Sequence, residues 1–150
     1  MKELSVREIL EYSRNIEQES FGFYTQVNRK FEDKELKALT AELAQSEEDH
    51  YNRICRLLEE TEMTESDLSS AVSISREDYD FLVTTRALPK DPTPRWILET
   101  AFEREKSTGN VYRTLLSFTN LSEDVIEVFS DLILQEEGHA GKIKRKLDKL

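Results

Sequence analysis

At 150 residues the chain is long enough for one domain with a sizeable core. Its net charge of −10 excludes a nucleic-acid binder, which needs a basic face, and a protein that docks on anionic membrane surfaces. With 35% charged residues, four glycines and three prolines, it reads as helical rather than as a sandwich or barrel.

The first helix is expected over 7–31, opened by Ser5 with Glu8 three residues on as a capping box. Its apolar stripe is Val6, Leu10, Ser13, Glu17, Tyr24, Val27 and Phe31, flanked by Ile9, Ile16, Phe21 and Phe23. Glu17 sits in mid-stripe. A carboxylate there is paired, protonated or bound to metal, because a lone buried charge is too costly; otherwise it lies at the stripe's edge and reaches solvent. The second helix, over 34–60, starts at the cap Asp33. Its stripe is Leu36, Leu39, Leu43, Glu47, His50, Ile54 and Leu57, with Glu48 and Asp49 facing outward. Cys55 falls in the same helical pattern as a small buried hydrophobe. As the only cysteine, it allows neither an internal disulfide nor a four-cysteine metal site.

Residues 61–93 are rich in Ser, Thr, Asp and Pro. They form a long crossover, required where the second and third helices of a bundle run parallel. Helical turns are expected within it at Glu65–Ala71 and Glu77–Val83, capped by Thr64 and Ser75. Thr93 and Pro94 start the third helix, over 95–118. Its stripe is Ile97, Ala101, Glu105, Thr108, Tyr112 and Leu115, with Leu98, Phe102 and Leu116 beside it. After a Thr119–Leu121 turn, Ser122 opens the fourth helix, over 123–148, with the stripe Val125, Phe129, Leu132, Glu136, His139, Ile143 and Leu147. The closing KIKRKLDKL is basic, which suits a helix C-terminus. All four glycines fall inside predicted helices. Gly22, Gly109 and Gly138 lie near the interrupting polar residues, where tight packing would explain them. No segment has the apolar run of a signal peptide or approaches the ~20 residues of a membrane span, so a cytoplasmic protein is expected.

The two halves repeat. Glu17 and Tyr24 recur 88 residues on as Glu105 and Tyr112, and Glu47 and His50 recur 89 residues on as Glu136 and His139. His50 and His139 are the only histidines, and each has its glutamate at i−3, on the same helix face. A helical hairpin therefore appears twice, each copy bringing one lone Glu and one Glu-x-x-His into an apolar stripe. Four carboxylates and two imidazoles suit iron or manganese, with zinc as a further candidate. Six ligands with bridging carboxylates serve two ions about 3.5–4 Å apart. The four negative charges balance two divalent cations.

This pattern is that of ferritin-like di-iron carboxylate proteins. Within that group the chain resembles the rubrerythrin (erythrin) family in its Glu-x6-Tyr element, its Glu-x-x-His spacing and its long crossover. The resemblance implies an all-α, ferritin-like four-helix bundle made of two hairpins, one domain over 1–150. It also implies that Glu17 and Glu105 are terminal ligands, that Glu47 and Glu136 bridge, and that His50 and His139 each hold one metal. There are two departures. Rubrerythrins proper carry a four-cysteine rubredoxin domain, and they carry an extra Glu one turn after the lone Glu of the third helix, where this chain has Thr108. Electrons are therefore expected from an external donor, rubredoxin-like or a flavoprotein, and a homodimer is expected. Tyr24 and Tyr112, two turns from Glu17 and Glu105, are either hydrogen-bond donors and electron relays beside the metals or core tyrosines with satisfied hydroxyls. Three functions fit: a non-haem di-iron oxidoreductase that reduces peroxide or dioxygen in oxidative stress, a ferritin-like iron-handling ferroxidase, and a helical interaction module with a structural metal site.

Overall fold

The computed structural model describes residues 3–59, 64–75, 77, 89–118, 121 and 123–150. Among these the chain runs β1 (Glu3–Ser5), α1 (Val6–Asn28), α2 (Lys34–Glu59), α3 (Glu65–Ser69), β2 (Ala71–Ser75), α4 (Pro94–Phe118) and α5 (Glu123–Asp148). It divides into two compact units, Met1–Ile9 with Met63–Leu150, and Leu10–Glu62.

The Leu10–Glu62 unit is an antiparallel hairpin of α1 and α2. At its far end Arg14 meets Glu59 at 3.4 Å, and near the turn the Asn28 side-chain amide donates to the Lys37 carbonyl at 2.7 Å and to Thr40 Oγ1 at 2.8 Å. Asp33 caps α2 as expected, accepting from the Leu36 N–H at 3.0 Å. The α1 stripe from Leu10 to Val27 and the α2 stripe from Leu36 to Leu57 are buried. The first helix stops at Asn28, three residues short of the expected end; the chain turns through Lys30, and Phe31 is buried after it. Glu48 and Asp49 are exposed, as read. Cys55 is half-buried rather than sunk in the core. The Tyr51 phenol, one turn earlier, is pushed above its ordinary range by a hydrogen bond to the Cys55 thiol and by that thiol's charge.

The other unit holds the second hairpin, α4 and α5. Antiparallel pairing shows in the Arg113–Glu137 ion pair, the Tyr112–Phe129 ring contact at 5.9 Å and the Arg95 guanidinium donating to the Leu150 carbonyl at 3.3 Å. Thr93 caps α4, accepting from the Trp96 N–H at 3.0 Å, with Pro94 in the first helical position. The residue expected to open the last helix, Ser122, lies outside the described residues.

Two short strands, which the sequence did not announce, accompany the helices. β1 and β2 pair antiparallel, Glu3 with Ser75 and Ser5 with Ala71, with an irregularity between the two pairs. The Val6 N–H adds a bond to the Ser70 carbonyl at 2.9 Å, and exposed Arg7 meets Glu65 at 2.8 Å. Ser5 ends β1 and also makes the expected capping box, its Oγ accepting from the Glu8 N–H at 3.1 Å and Glu8 reaching back to the Ser5 N–H at 3.2 Å. Thr64 caps α3 in a box with Asp67, but that helix ends at Ser69, and Ala71 begins the strand. Ser75 is the last residue of β2. The expected turn over Glu77–Val83 lies, apart from Glu77, outside the described residues.

Candidate metal centre

In the α1–α2 hairpin, heptad-like spacing turns Glu17, Glu47 and His50 onto the buried stripe of each helix. Glu17 and His50 are wholly buried and Glu47 is 2% exposed, which settles the reading of Glu17: it does not lie at a solvent edge. One ligand atom from each of the three lies within 4.8 Å of the other two. Glu17 Oε2 and His50 Nδ1 are 3.7 Å apart, too long for a hydrogen bond. Two atoms that bind one ion at about 2.1 Å each stand about 3.0–3.6 Å apart at 90–120°. The observed spacing is slightly wider than that, and a small inward shift closes it.

Ser46 was not singled out by the sequence, yet it orients this cluster. Its Oγ lies 3.3 Å from His50 Nε2, one turn back on α2, while Nδ1 faces Glu17. A hydroxyl on the outer ring nitrogen fixes the ring and leaves the inner nitrogen for a metal. The i, i+4 spacing from His50 was the only signal of this, and a mid-helix serine is too common to act on.

In the α4–α5 hairpin, Glu105 and Glu136 are 2% and 1% exposed. Glu105 Oε2 lies 4.0 Å from His139 Nδ1. Glu136 is one turn before His139 on α5. The repeat therefore has a structural counterpart in each hairpin: a carboxylate from the first helix faces an imidazole from the second, and a second carboxylate shares the imidazole's helix. The two differ in exposure, the His50 side chain being wholly buried and that of His139 11% exposed.

Tyr24 and Tyr112 are fully buried on the same stripes. Tyr24 meets Phe23 edge-on at 5.3 Å. Thr108 is buried, and its hydroxyl donates to the Arg104 carbonyl at 3.0 Å, so no carboxylate stands one turn after Glu105. The glycines correct an expectation. A side chain at Gly22 or Gly138 would meet nothing within 4 Å, so crowding does not explain them; only at Gly109 would it touch a candidate ligand, Glu136, at an ordinary 3.7 Å.

The donor set fits divalent iron or manganese. Buried carboxylates paired with imidazoles are hard and borderline donors, and burial of such charge is stable only where a counter-charge or proton offsets it. Among the described residues no helix is long and apolar enough to cross a membrane. No curated protein and no solved structure matches the chain. A family model described as Rubrerythrin matches residues 8–90, more than half of the chain; it covers Glu17, Glu47 and His50 and stops before the second hairpin. The chain belongs to the rubrerythrin family, and its fold is the all-α, ferritin-like helical bundle of that family.

Proposed function

We propose that the chain is a non-haem di-iron oxidoreductase of the cytoplasm that reduces peroxide or dioxygen. Glu17, Glu47, His50, Glu105, Glu136 and His139 hold the two ions, and residues 1–150 work as one di-metal domain with the crossover over 61–93. The observation that carries this reading is the buried Glu17–Glu47–His50 cluster in a rubrerythrin-family chain, supported by its repeat in the second hairpin. Two ferrous ions supply the two electrons that peroxide reduction takes. The chain's own residues would bind and orient: Glu17, Glu47, Glu105 and Glu136 would supply carboxylate oxygens and His50 and His139 imidazole nitrogens, while Ser46 holds His50 with Nδ1 inward. The apolar stripes on either side of Glu17, Glu47 and His50 would keep bulk water from an ion held there. These 150 residues contain one cysteine, Cys55, and no four-cysteine iron site of their own. We propose that a rubredoxin-like protein or a flavoprotein returns the electrons and that the protein works as a homodimer.

One observation favours iron handling as the second reading. Thr108 stands where the family's extra glutamate would be, and its hydroxyl is turned to the Arg104 carbonyl. The test is anaerobic reduction of the iron-loaded protein followed by peroxide. Repeated consumption of reductant with peroxide supports the oxidoreductase. Uptake of iron far above two ions per chain, with assembly into a shell, supports iron storage and overturns it.

A further inference from the structure

A half-open groove of about 560 Å³ runs between α4 and α5, within the second hairpin alone. Its size is far beyond the ~30 Å³ of a water-sized oxidant and falls in the range of about 300–1,000 Å³ typical of sites for organic ligands. Small residues open it: Gly109 on α4, and Ala140 and Gly141 on α5, leave the two helix surfaces without side chains to fill the space. Phe102 adds an aromatic wall. Glu105 and Glu136, both candidate metal ligands, also line it, so the groove leads from solvent to one half of the proposed centre.

The rim is cationic although the chain is strongly acidic. Lys106 comes from α4, its ammonium 5.5 Å from the centre of the Phe102 ring, and Lys144 comes from α5, where it also meets Asp148 at 3.6 Å in a solvent-exposed pair of the kind worth little in water; both lysines are exposed. Arg113 is committed elsewhere, bonded to Asn110 at 3.0 Å and paired with Glu137. Two ammonium groups on facing helices, above a mainly apolar trough, complement an amphipathic anion and disfavour a cation.

We infer that this groove binds a small organic carboxylate with an apolar body. The carboxylate lies between Lys106 and Lys144, and the body lies along Phe102, Ala140 and Gly141, beside Glu105 and Glu136. The inference rests on the metal reading in one respect: divalent ions on Glu105 and Glu136 remove the charge that would repel an anion from the groove's inner end.

Octanoate, titrated into the metal-loaded full chain and followed by NMR of its labelled carbons, is the probe. Octylamine is the control. The expected result is saturable octanoate binding with none for octylamine. The Lys106→Gln, Lys144→Gln double variant weakens it at least tenfold. Gly141→Leu abolishes it by filling the trough; a β-carbon there meets only the flexible end of Arg145, at 3.5 Å, and circular dichroism checks that the variant keeps the helical fold. Elemental analysis of the same samples separates the two readings. Protein that holds its metal but binds no octanoate overturns the groove, as does equal binding by all three proteins. Protein that holds no metal overturns the metal reading, whatever the groove binds.

Discussion

The side chains that matter most here are polar groups in apolar positions. Glu17 and His50 have no exposed surface, and each interrupts a helix stripe that is otherwise aliphatic or aromatic. These positions were legible in the sequence, because a charged residue in mid-stripe is costly enough to demand a reason. Ser46 was not legible: its importance depends on which way the His50 ring turns. That orientation gives a prediction. Ser46→Ala leaves the fold intact and weakens metal binding about tenfold or more, because the ring loses the contact that aims Nδ1 inward. Competition with a chelating dye measures it, and Ser46→Thr, which keeps the hydroxyl, restores much of the loss. An unchanged affinity in Ser46→Ala removes the serine from the site.

At the scale of elements, the four long helices were readable from stripe and cap together. Asp33 and Thr93 each accept the backbone bond that their positions announced. Thr93→Ala is expected to cost about 1 kcal/mol of stability in a denaturant melt, as loss of a helix cap does. Leu43 is fully buried on the α2 stripe one turn before Glu47, and Leu43→Ala is expected to cost about 2–5 kcal/mol. A cost below 1 kcal/mol there would mean that the stripe is not a packed core. The strands were not readable. β1 spans three residues and β2 five, too short for alternation to stand out, and their pairing joins segments about seventy residues apart. That pairing also explains why α3 ends early: Ser70 takes an extended backbone and gives its carbonyl to Val6. The end of α1 falls three residues before the expected one for a similar reason, since Phe31 continues the apolar period after the helix itself has ended.

At the scale of the whole molecule, the sequence repeat carries the functional account. It pairs a lone carboxylate with a Glu-x-x-His twice, and within each hairpin the lone carboxylate stands 3.7 Å or 4.0 Å from the imidazole. Metal binding is expected to raise the melting temperature, since a ligand held by the folded state alone stabilises it by RT ln(1 + [M]/Kd), about 2.7 kcal/mol at a hundredfold excess over Kd. The sign of the pH effect follows from the ligands. Carboxylates and imidazoles bind metal only when deprotonated, so protons compete and the gap between loaded and metal-free protein narrows as pH falls. Melts with Mn²⁺ and with chelator at pH 8 and pH 5.5 check this: the gap is expected to be larger at pH 8, and no gap at pH 8 contradicts a shared buried site.

The most direct test of the central claim is the metal content of the protein after anaerobic loading with Fe²⁺ and removal of free ions. The account predicts close to two ions per chain in the wild type, and the loss of at least one in His50→Ala and in His139→Ala. A wild type that retains no iron, or histidine variants that retain as much as the wild type, would contradict it.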